Sequence, residues 1–64
     1  MQHVAHRHSD EMHELRALVK DLADDLEAEL NGRYPPNVRD YPSMDARYER
    51  DMANVYKARE ILSR

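Results

Sequence analysis

Residues 12–31, MHELRALVKDLADDLEAELN, decide the fold. Met12, Leu15, Val19, Leu22 and Leu26 recur at alternating three- and four-residue intervals, the spacing of a coiled-coil seam. Leu18, Ala23 and Leu30 widen the seam into the broader apolar stripe of a bundle helix. Just upstream, Ser9 and Asp10 suit a helix N-cap, and Asp10, Glu11 and Glu14 sit where the positive end of the helix dipole favours acids. Downstream, Asn31-Gly32 reads as a stop, because glycine readily takes the left-handed conformation that closes a helix. The expectation is a helix over 9–31, preceded by a short polar segment, 1–8, with sequence MQHVAHRH.

The next stretch breaks the pattern. Residues 32–42, GRYPPNVRDYP, hold Pro35, Pro36 and Pro42, which lack an amide donor and push the residues before them toward extended geometry. We expect a long loop there, with Tyr34, Val38 and Tyr41 as anchors that strap it across the helices. Residues 43–63 read as the second helix. Ser43 is the expected N-cap, Asp45 follows in the first turn, and Arg59 and Arg64 suit the negative end. Met44, Tyr48, Met52, Val55 and Leu62 mark its apolar stripe, with Tyr56, Ala58 and Ile61 beside it. The expected core is Leu15, Val19, Leu22, Leu26, Met52, Val55 and Leu62.

The fold class is therefore all-α: a two-helix hairpin with a long Tyr/Pro loop, in one domain. At 64 residues with no cysteine, such a chain has a small core and no disulfide to brace it. Leu, Ile, Val and Phe number only eleven. Two helices alone would leave Leu18, Leu30, Tyr56 and Ile61 exposed. Pairing two hairpins into a dimeric four-helix bundle would bury both stripes, so a homodimer or higher oligomer is expected, the alternative being a hairpin that completes its core on a different, larger protein. Charge is split to match. Residues 9–31 carry eight acids against two bases, a net of −6; residues 32–64 carry seven bases against five acids, a net of +2. Complementary potentials favour packing one segment on the other, within or between chains.

Four side-chain groups invite a functional reading. His3, His6, His8 and His13 lie near Asp10, Glu11 and Glu14. Imidazole is the commonest metal ligand near neutral pH, and His6, Asp10, His13 and Glu14 share a helical face if the helix begins early. Against this, a polar N-terminus rich in histidine needs no metal to explain it. The acids Asp21, Asp24, Asp25, Glu27 and Glu29 suit a basic partner, but their spacing also fits a solvated outer face. Tyr34, Arg39 and Tyr41 in the loop, with Tyr48 and Tyr56 in the second helix, are residue types enriched at binding hot spots. Arg47, Arg50, Lys57, Arg59 and Arg64 alternate with acids in an acidic chain, so nucleic acid is not an expected partner.

No thiol and no glycine-rich phosphate loop is present, with Gly32 the only glycine, so no enzyme is expected. No apolar run is long enough for a membrane span, and the N-terminus has His and Arg where a signal peptide needs an apolar stretch. A cytoplasmic location is the resulting expectation. The reading is a non-enzymatic, self-associating protein that works through protein–protein contacts at Tyr34, Arg39, Tyr41, Tyr48 and Tyr56, as an adaptor, assembly factor or inhibitor, with no resident cofactor. The alternative is a metal-binding four-helix bundle using His6, Asp10, His13 and Glu14.

Overall fold

The computed structural model describes the backbone of residues 2–64 and the side chains of residues 10–64. It is all-helical, with three helices: α1 (Gln2–Arg33), α2 (Pro36–Arg39) and α3 (Pro42–Leu62). No strand occurs among the described residues.

The boundaries differ from the sequence expectation at each end of the long helix. Residues 2–8 contain neither Pro nor Gly, so nothing halts the helix there, and α1 starts at Gln2 with Ser9 and Asp10 inside it rather than capping it. At the other end α1 runs through Gly32, whose φ is not positive, to Arg33. The prolines end it. A helical Pro35 would drive its ring into the carbonyl of Asn31, and Tyr34, preceding it, is steered away from helix. Tyr34 still donates its amide to Leu30 O at 2.8 Å, which closes the last turn.

An ideal Cβ built on Gly32 meets nothing within 4 Å. Gly32→Ala is therefore expected to stabilise the fold by about 0.5–1 kcal/mol, read as a rise in Tm in thermal denaturation, because alanine loses less backbone entropy than glycine in a helix.

The expected 32–42 loop contains the single turn α2. Pro36 opens it, with Pro35 extended before it, and Val38 and Arg39 both donate to Pro35 O at 2.9 and 3.1 Å. A proline at the first helical position loses no bond it would have made. The same device starts α3: Tyr41 is extended, Pro42 is the first helical residue, and Met44 and Asp45 donate to Tyr41 O at 3.0 Å each. Ser43 is thus inside the first turn and is not the N-cap.

Helices α1 and α3 lie side by side and run in opposite directions. Tyr48 reaches Asn31, Arg59 reaches Glu27 and Asp24, and the Arg16 guanidinium donates to the carbonyl of Leu62, so rising numbers on α3 meet falling numbers on α1. The lengths do not match. α1 has 32 residues and α3 has 21. At about 1.5 Å per residue these are ~48 and ~32 Å long. Because α3 ends beside Arg16, residues 2–15 of α1 extend past it. The molecule measures 57 × 18 × 13 Å, with a radius of gyration of 16.4 Å. A compact chain of this length would have about 11 Å.

The core sits at the closed end, near α2. Ala23, Leu30, Tyr34, Tyr48, Met52 and Val55 are buried, and Leu26, Val38, Met44 and Ala58 pack against them. Of the expected core, Met52 and Val55 are fully buried at 1% exposure each, and Val19, Leu26 and Leu62 are half-buried. Leu15 and Leu22 are 54% and 58% exposed. Leu22 lies on the flank of α1 beside α3, and Leu15 lies on the part of α1 that extends past it. Leu30, expected to be exposed in a lone helix pair, is buried instead, because α2 and Tyr34 fold back over that end.

Candidate interaction surface

The aromatic corner accounts for three of the five expected contact residues. Tyr34 and Tyr48 are buried, with ring centroids 6.2 Å apart and planes at 68°, an edge-to-face pair. The Tyr48 hydroxyl donates to Asn31 Oδ1 at 2.7 Å, and the Tyr34 hydroxyl reaches Asp51 Oδ2 at 3.4 Å. Arg39, half-buried, lays its guanidinium 4.3 Å above the Tyr48 ring, a cation–π contact. Each tyrosine thus buries its ring and keeps a hydrogen-bond partner for its hydroxyl. Tyr34, Arg39 and Tyr48 weld α1, α2 and α3 together. Tyr34 and Tyr48 turn their rings into the core, and Arg39 is half-buried over it. Tyr41 and Tyr56 are exposed, at the α2–α3 junction and on α3. The five are not brought into one patch.

The second cluster is ionic. Arg59 on α3 donates to both carboxylate oxygens of Glu27, at 3.0 and 2.9 Å, and to Asp24 at 3.1 Å. Lys20 joins from one turn earlier, 3.1 Å from Asp24. Hydrogen bonds from Arg59 hold the carboxyls of Asp24 and Glu27 below the usual carboxylate range, with Lys20 the next contributor at Asp24. The same contacts raise the pKa of the Arg59 guanidinium further above neutrality. Two members of the expected acidic set, Asp24 and Glu27, are therefore partnered within the chain. Carboxyls with depressed folded-state pKa values add stability that is complete above their unfolded values, about 4, and that disappears as pH falls through the folded values. Helicity is expected to be flat with pH from 5 to 8 as far as this cluster is concerned, and to fall below pH 4. Arg59→Gln should shift that acid transition to higher pH in a circular-dichroism titration.

The expected metal ligands do not form a site among the described residues. Asp10, His13 and Glu14 are exposed on the part of α1 that extends past α3. The side chain of His6 lies outside the described residues. No group of three or more His, Asp or Glu side chains able to hold a metal occurs among those described.

Two of the residues expected in the core, Leu15 and Leu22, lie on the surface, and Val19 and Leu26 are half-buried. Leu15, Val19, Leu22 and Leu26 follow at intervals of four, three and four, which sets them along one flank of α1. On the same face of the helix pair, Asn54, Val55 and Ala58 of α3 join Val19, Leu22, Ala23 and Leu26 to line a shallow groove of about 190 Å³. Asn54 is its one polar member. Met12 and Leu18 add exposed apolar surface to α1, and Ile61 adds it one turn past Ala58. The signal for this surface in the sequence was the period of Leu15, Val19, Leu22 and Leu26, which marked an apolar stripe without showing how much of it α3 would cover.

No helix of the described residues is long and apolar enough to cross a membrane. No protein-family model, curated protein or solved structure matches the chain.

Proposed function

We propose that this chain is a non-enzymatic helical hairpin that self-associates and acts by protein–protein contact, as an adaptor, an assembly factor or an inhibitor. The observation that carries this reading is the exposed apolar row of Met12, Leu15, Leu18 and Leu22, continued by Ile61 on α3. Scattered apolar residues on a surface need no explanation, but a contiguous row beside an apolar groove marks an interaction site. Burying one such leucine is worth about 1.5–3 kcal/mol, so a handful of them outweighs the cost of ordering a few rim side chains.

The metal-binding reading keeps one specific support. Because α1 runs unbroken from Gln2, residues 6, 10, 13 and 14 belong to one helix, at successive spacings of four, three and one. One experiment weighs both. Light scattering after size exclusion is run on the full chain in EDTA and again with Zn²⁺ or Fe²⁺. A multimer that is indifferent to metal supports the contact reading. Assembly that needs metal supports the alternative, and a helical monomer under both conditions contradicts both.

A further inference from the structure

We propose that the groove face is covered by a second copy of this chain, with α1 of each copy lying over α3 of the other about a two-fold axis that runs along the helices. This rests on the self-association reading and specifies its face and its geometry.

The first support is surface area. The chain exposes 5359 Å². A compact protein of 7.6 kDa exposes about 4,300 Å². The excess of about 1,000 Å² per chain includes the part of α1 that runs past α3, and a standard stable interface takes ~800 Å² from each partner. The groove face is where apolar surface is concentrated to fill that area.

The second support is the charge around the face. Glu11 and Glu29 rim the α1 side, four residues before Leu15 and three after Leu26. Arg47 and Arg50 rim the α3 side, seven and four residues before Asn54. All four are exposed, and Glu29 is engaged by Arg33 of its own helix at 2.6 Å. Arg47 has no ion pair among the described residues, and Arg50 has only its neighbour Asp51 at 3.3 Å. Two face-to-face arrangements preserve two-fold symmetry. An axis across the helices sets α1 over α1, and so places the acid-rich segment 9–31, net −6, against its own copy. An axis along the helices sets α1 over α3 and keeps every residue at its own level. The Tyr48–Asn31 hydrogen bond fixes that level: Glu29 lies two residues from Asn31, as Arg50 does from Tyr48. The second arrangement sets the acidic segment of one copy, net −6 over residues 9–31, against the basic segment of the other, net +2 over residues 32–64, and it makes the acidic helices diagonal neighbours. Charge complementarity selects it. The resulting bundle has antiparallel helices at every shared edge.

The chain has no cysteine, so single-cysteine variants label cleanly. Asn37→Cys, on exposed α2, carries a nitroxide for double electron–electron resonance, with mass measured on the same sample. The arrangement with α1 over α3 puts both α2 turns at one end, giving an intercopy distance of about 20–30 Å for helices packed 8–10 Å apart. The alternative puts them at opposite ends, about 50 Å or more apart at 1.5 Å per residue. A dimer with the short distance supports the proposal. A dimer with the long distance overturns the geometry while leaving self-association intact, and a monomer overturns both. Leu22→Glu, which places a carboxylate in the groove, should weaken dimerisation at least tenfold, whereas Ala17→Glu, on the opposite side of α1, should leave it unchanged. Equal dimerisation of the two variants would assign the wrong face.

Discussion

Tyr48→Ala is expected to unfold most of the chain at room temperature. The ring is buried, packs edge-on against Tyr34 and carries Arg39 on its face, and its hydroxyl holds Asn31 at the end of α1. Truncating a buried aromatic costs about 3–5 kcal/mol. A chain of 64 residues has a total stability of about 3–10 kcal/mol at the usual margin per residue. Arg39 would lose its stacking partner at the same time. Tyr48→Phe separates the ring from the hydroxyl: it removes only the bond to Asn31, a loss of about 0.5–1.5 kcal/mol. Thermal melts followed by circular dichroism at 222 nm should show Tyr48→Phe folded with a modestly lower Tm and Tyr48→Ala without a cooperative transition. Similar melts for the two would mean that the aromatic corner does not hold the helices together.

Leu30→Ala is the second large effect, and it gains force from a control in the same helix. Leu30 is 2% exposed and closes the core against Tyr34 and Tyr48, so its truncation leaves a cavity and costs about 2–5 kcal/mol. Leu18 is 53% exposed, toward the edge of the apolar flank. Leu18→Ala should cost well under half as much in urea denaturation monitored at protein concentrations low enough to keep the chain monomeric. The sequence alone ranks the two leucines together, as seam-widening positions on one helix, so this contrast tests the structure rather than the pattern. Equal losses would place Leu18 in a core that the helix pair does not show.

The particular residues explain what was legible in the sequence and what was not. The period of Leu15, Val19, Leu22 and Leu26 announced a helix, because an apolar stripe at that spacing has few other uses. The same period did not reveal which part of the stripe α3 would cover. That depended on how far α3 extends, and α3 ends beside Arg16, and on which side of α1 it lies, which leaves Leu22 exposed. Gly32 read as a stop because glycine tolerates left-handed geometry, yet it tolerates helix as well, and the prolines one turn later ended α1 instead. Tyr34, Arg39 and Tyr48 read as contact residues because tyrosine and arginine are common at interfaces. The amphipathic character that suits them to an interface suits them equally to a thin core, where a ring is buried and a hydroxyl finds Asn31 or Asp51. No spacing in the sequence separates those two uses. The placement of α2, which brings Arg39 over Tyr48, decides between them.

The most direct test of self-association through an exposed apolar face is sedimentation equilibrium of the unaltered chain across micromolar concentrations in EDTA. A mass of twice the 7.6 kDa of one chain, falling toward one chain on dilution, is the expected result. A helical species that stays at 7.6 kDa across the whole range would contradict it.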